Sequence, residues 1–233
     1  MKIILLTGSM LVSIFVYSQD KLFKVYTDSA FLVNDANKIV DDFVDKVNAV
    51  SPVFTTKPLA ILNTKPYLIF YSPKANQVNL PIWHQVMPQQ KEFFTNIAGS
   101  EKEGEKVFAL FFNGFYLSHE LGHALQNAAN IKAANQYENE YFANQVAVLY
   151  WRKANRKKEL KQCYKYAKKM VAQLKDPVPA GEDPIRYFTE NYSSALASDP
   201  YKYGYFQFNQ LVKIYEDKKL KKFDDFIKGF LLQ

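Results

Sequence analysis

Cysteine is almost missing from the chain: Cys163 is the only one among 233 residues, so no internal disulfide framework can hold the fold together. Histidine is also scarce, with three in all. No glycine-rich phosphate loop, zinc-finger spacing or RNA-binding signature occurs, which removes the common nucleotide- and nucleic-acid-binding motifs. Past the first twenty residues, no apolar run approaches the roughly 20 residues that cross a bilayer. There is no internal repeat and no low-complexity tract.

What the chain does have begins with MKIILLTGSMLVSIFVYSQD. One lysine precedes an uncharged, mostly apolar run from Ile3 to Tyr17, followed by small and polar residues, the outline of a secretory signal peptide. Val16 and Ser18 suit signal peptidase, so residues 1–18 are expected to be removed after Ser18 and the mature chain to start at Gln19. A retained anchor would need a longer run. No lipid-bearing cysteine follows, so the expectation is a secreted or periplasmic protein without a membrane span.

The formal charge is +7. The excess is concentrated in RKANRKKELKQCYKYAKKM, Arg152 to Met170, where lysines lie opposite an apolar stripe of Leu160, Cys163, Tyr164, Ala167, Met170, Val171 and Leu174. That pattern describes a helix with one solvated face, with contact to anionic surfaces as the alternative. Cys163 on the stripe is expected to be a small core residue, and nucleic acid is not the expected partner.

Apolar residues at helical spacing predict a helix from Ser29 to Val50, ended by Ser51 and Pro52. The following segment is cut by Pro58, Pro66, Pro73 and Pro81 and reads as strands at Leu59–Leu62, Tyr67–Tyr71 and Gln77–Leu80. Pro81 suggests that the last strand lies at a sheet edge or ends there. A long helix is expected from Glu101 to about Ala128, a second from Asn135 to Ala154, and the basic helix beyond it to Leu174. Asp183-Pro184 and Asp199-Pro200 resemble helix starts, with an acidic cap and proline in the first turn. The fold class is therefore α+β and mostly helical, a small sheet followed by many helices. The loop Lys175 to Pro184 is the clearest break, dividing a region 19–175 from a C-terminal helical lobe 176–233.

The chemistry gathers in FFNGFYLSHELGHALQNAAN. His119 and His123 are four residues apart, so on a helix both imidazoles face one side and can hold a single ion, with Glu120 rotated by about 100° toward a water on it. Zinc is the expected metal. Two extended zinc motifs are excluded because Gln126 and Ala129 stand where glycine and a histidine or aspartate would be needed. A third ligand must come from another helix, and QYENEYFANQVAVLYW offers Glu138 and Glu140. Glu140 shares a face with Ala143, Asn144 and Ala147, whose small alanines permit close helix approach. Glu138 shares a bulkier face with Tyr141 and Phe142. Glu140 is the expected ligand, and Asn144 can accept the outer N–H of a ligating histidine.

HELGH followed by E-x-x-A-N resembles the gluzincin group of zinc metallopeptidases, over about Phe108 to Trp151. The resemblance implies a zincin-like fold, one zinc ion, hydrolysis of peptide bonds with Glu120 as general base, a peptide or protein substrate, and a sheet edge lining the cleft. Asn144 stands where aspartate is commoner in the group. By the same comparison, a tyrosine from the C-terminal helices would stabilise the oxyanion, with Tyr203 first and Tyr205 second. The strand Asn76–Leu80 is the candidate substrate-pairing edge, with Trp83 and His84 nearby. The rival is a non-enzymatic binding protein of the cell envelope that keeps a zinc site for structure.

Overall fold

The computed structural model describes residues 22–64 and 68–232; residues 1–18, expected to form a signal peptide, lie outside them. Nine α-helices and three strands follow the chain in these residues. They are α1 Ser29–Asn48, β1 Leu59–Leu62, β2 Phe70–Ser72, β3 Gln77–Leu80, α2 Pro88–Ala98, α3 Glu101–Leu110, α4 Tyr116–Ala129, α5 Gln136–Lys153, α6 Lys157–Gln173, α7 Pro184–Asn191, α8 Pro200–Glu216 and α9 Phe223–Leu231. The protein is mostly helical with a small sheet. No helix among the described residues is long and apolar enough to cross a membrane.

The expected caps form. Asp183 and Asp199 each occupy the N-cap of a helix with proline in its first turn, and their carboxylates accept from backbone N–H groups that have no partner within the helix. Asn135 does the same for α5, accepting from Glu138 N at 2.9 Å. The basic stretch forms α6 and buries Leu160, Cys163, Ala167 and Met170.

Two features depart from the sequence reading. The helix expected to run unbroken from Glu101 is interrupted by a π-helical turn at Phe111–Phe115, with Asn113 outside helical geometry at φ −102°, ψ 16°. The wider turn turns the Asn113 carbonyl to the Phe23 N–H at 3.0 Å, while its side-chain amide donates to Pro81 O at 2.9 Å. The insertion thus ties the start of α4 to the end of the sheet.

The second departure concerns the sheet. Its order is β1-β3-β2, with β3 parallel to β1 and antiparallel to β2. The strand expected at the edge, β3, is central. A turn at Pro73–Asn76, with Asn76 at φ 51°, brings the chain back so that β2 covers it, and Pro81 merely ends it. The outer strand on that side is β2. Trp83, offered as a cleft residue, is buried against Phe94 and Phe108, and His84 is exposed.

Helices α4 and α5 pack with almost no side chain between them. A methyl group on Gly122 would stand 3.0 Å from Ala143 Cα and 3.3 Å from Val146 Cβ. The alanine face of α5 and the glycine inside HELGH are two halves of one close approach. The main core extends from Leu22 through Phe43, Phe108, Trp151 and Leu211 to Phe230, and a smaller cluster of Tyr137, Phe188, Leu196 and Phe206 joins α5, α7 and α8.

Candidate metal centre

His119 and His123 project from α4 and Glu140 from α5, and one donor atom from each lies within 4.8 Å of the others. His119 Nε2 is 3.2 Å from His123 Nε2 and 3.3 Å from Glu140 Oε2, while His123 Nε2 is 3.9 Å from Glu140 Oε1. A tetrahedral ion with bonds of about 2.05 Å keeps its ligands about 3.3 Å apart, close to the two shorter spacings. Glu138, the competing carboxylate, is exposed.

The outer ring nitrogens show that this donor set suits a cation. His119 Nδ1 meets Asn144 Oδ1 at 2.9 Å, and His123 Nδ1 meets Gln126 Oε1 at 3.1 Å. An amide oxygen only accepts, so each Nδ1 carries a proton, and in the neutral rings both Nε2 atoms present lone pairs. Two lone pairs and a carboxylate oxygen, all turned inward on buried or half-buried residues, repel one another unless a cation, metal ion or proton, lies among them. The group His119, His123 and Glu140 can hold one metal ion.

Glu140 is buried, yet both of its oxygens are satisfied. Gln136 Nε2 and the Tyr192 hydroxyl donate to Oε1 at 3.2 and 3.4 Å, and the Tyr203 hydroxyl and Gln207 Nε2 donate to Oε2 at 3.0 and 2.9 Å. Burial by itself would raise its pKa, but with the rings protonated the hydrogen bond from His119 and the charges of both histidines offset this and hold Glu140 below the usual carboxylate range. Burial, then the Glu140 charge, pushes the Tyr192 and Tyr203 phenols well above their ordinary value, so both stay protonated and act as donors.

Glu120 is not part of the ligand group. One residue past His119, and so rotated by about 100°, it reaches β2, where Oε2 accepts from Tyr71 N at 2.8 Å. Burial pushes its pKa up to about 7, the Glu140 charge adds to the rise, and His123 with the Tyr71 N–H works against it. A cation beside it would draw that value down again.

The cleft over these residues holds about 350 Å³, and a second hollow of about 460 Å³ shares Gln126, Gln136 and Asn139 with it. A larger hollow of about 660 Å³ lies elsewhere, among Arg152, Lys153, Lys157 and Phe223, and contains none of the metal-binding side chains. Tyr203 lines the cleft. Tyr205 does not: two residues further along a helix it is turned by about 200° and packs edge-on against Phe206. Sequence reasoning missed Tyr192, Gln136 and Gln210. Only the sequence neighbourhood of Gln136, one turn before Glu140, could have signalled any of them.

No protein-family model, curated protein or solved structure matches the chain.

Proposed function

We propose that the protein is an exported zinc-dependent metallopeptidase of zincin-like, gluzincin type, hydrolysing peptide bonds in a peptide or protein substrate. The observation that carries the proposal is the convergence of two imidazole lone pairs and one carboxylate, with a second, non-ligating carboxylate alongside. A purely structural zinc site has no use for that second carboxylate, which is why the enzyme reading is preferred to a binding protein.

A zinc ion held by His119, His123 and Glu140 would keep a position open, polarising a carbonyl there and lowering the pKa of a water from 15.7 toward ~7. Asn144 holds His119 in the tautomer that offers Nε2. Glu120 lies on the cleft wall and takes the proton of the attacking water, then returns it to the leaving amine. Of the two phenols that line the cleft, Tyr192 supplies the donor for the oxyanion, since Glu140 holds the Tyr203 proton. Tyr192, whose bond to Glu140 is the longer at 3.4 Å against 3.0 Å for Tyr203, is the freer to turn to substrate.

Substrate would lie along β2. β2 is the outer strand on that side, and its edge can pair with an extended peptide beside the Tyr71 N–H, which Glu120 already holds. The adjoining hollow is rich in carboxamides, Gln126, Asn127, Asn130, Gln136 and Asn139, which both donate and accept and so match a peptide backbone.

The test is Glu120→Gln assayed on a proteome-derived peptide library with zinc bound. The variant should fold and bind zinc as the wild type does while losing cleavage; cleavage at the wild-type rate would refute the assigned base. If the zinc-loaded wild type cleaves no member of the library, the binding-protein rival is favoured.

A further inference from the structure

Resting on that metal-site reading, we infer that Gln207 on α8 is a positioning residue that closes a hydrogen-bonded ring through two metal ligands. Every bond in the ring has a determined direction. His119 Nδ1–H donates to Asn144 Oδ1 at 2.9 Å, which leaves Asn144 Nδ2 to donate onward. Its two N–H groups go to Gln207 Oε1 and Gln210 Oε1, both at 2.8 Å. Gln207 Nε2 then donates to Glu140 Oε2 and to the Tyr203 hydroxyl, both at 2.9 Å. Tyr203, having accepted from Gln207, donates its own proton to Glu140 Oε2 at 3.0 Å.

The chain of donors therefore starts on one ligand, His119, and ends on another, Glu140. Neither amide can turn over. Reversing Gln207 would set its oxygen against the Glu140 carboxylate and its N–H against the Asn144 N–H groups. Asn144, Gln207 and Gln210 are all at most 2% exposed, so water cannot replace a lost partner. Asparagine suits this position because an aspartate would place a carboxylate against two glutamine oxygens.

Gln210 serves as the internal control. It accepts from Asn144 just as Gln207 does, but its own Nε2 goes to Tyr137 O at 3.5 Å and never reaches a ligand. Both glutamines are buried on α8 and both satisfy the same amide; only Gln207 ties Glu140 to His119. A merely structural role would make the two equivalent for metal, whereas the ring makes them different.

The experiment measures zinc affinity of the full chain by competition with a chromogenic chelator, together with metal-free thermal melting, for wild type, Gln207→Leu, Gln210→Leu and Gln207→Glu. Both leucine variants should lower the melting temperature of the metal-free protein. Gln207→Leu should weaken zinc binding by about 10–100-fold, the range for losing a partner that orients a metal ligand, and Gln210→Leu by less than about threefold. Gln207→Glu, of unchanged size, should weaken zinc at least as much as the leucine variant, because it sets two carboxylates face to face, and it carries the test if Gln207→Leu does not fold. Equal losses in the two leucine variants, or wild-type affinity in Gln207→Glu, would overturn the ring while leaving the ligand set intact. A wild type without stoichiometric zinc would overturn both.

Discussion

Substituting Gly122 by alanine should separate metal affinity from stability. The new methyl would stand 3.0 Å from Ala143 Cα, 3.3 Å from Val146 Cβ and 3.4 Å from Ala143 Cβ. Carbon atoms rest at about 3.5–4.0 Å, and the nearest obstacle is backbone, so no rotamer change relieves it and α5 must retreat by about 0.5–1 Å. Overpacking of this kind costs about 1–3 kcal/mol, and replacing glycine inside a helix returns about 1 kcal/mol. The net loss is then about 0–2 kcal/mol, and each kcal/mol lowers the melting temperature by about 2–4 °C in a chain of this size.

Metal binding is far less forgiving. Glu140 lies one turn from Asn144 on the helix that retreats, so its carboxylate moves away from His119 Nε2, at present 3.3 Å distant. A tetrahedral site tolerates distance errors of about 0.2 Å, and zinc affinity should fall by about tenfold or more. Chelator competition and thermal melting on the same preparation measure the two effects. Wild-type zinc affinity in a Gly122→Ala variant with an undisturbed melting temperature would show that the helices are not held at the contact distance assigned here.

Other substitutions probe separate parts of the argument. His123→Ala should lose stoichiometric zinc, measured by metal analysis after gel filtration; retention would refute the ligand set. Tyr192→Phe should lower kcat by about 10–1000-fold with KM within about threefold, and an unchanged kcat would remove Tyr192 from oxyanion stabilisation. Cys163 is fully buried and burial pushes its thiol pKa upward, so maleimide labelling should follow global unfolding; rapid labelling of the native protein would contradict that burial. Asp199 caps α8, the helix of Tyr203 and Gln207. Burial would raise its pKa, but hydrogen bonds from Lys202 and Tyr201 hold it below the usual 3.8. A depressed carboxylate stabilises the fold above that value and loses its contribution as the pH falls below it, so Asp199→Asn should flatten the acid limb of urea stability. An acid limb identical to wild type would show that the cap carries no pH-linked stability.

Local patterning carried much of this protein. Helix periodicity and caps are short-range, so α1, α5, α6 and the starts of α7 and α8 could be placed from residues within a turn of one another. The spacing of His119 and His123, and the small face shared by Glu140, Ala143, Asn144 and Ala147, is likewise written within single helices. Tertiary structure decided what depends on separate segments meeting. The central place of β3 depends on a turn that lets β2 fold over it, and the π-turn at Asn113 exists because a carbonyl there is claimed by Phe23, ninety residues away in sequence. The hydrogen-bonding shell around Glu140 is drawn from α5, α8 and the turn after α7. Such contacts have no period in the sequence, because a buried polar group is satisfied by whichever chain arrives, and only the packed fold brings one there.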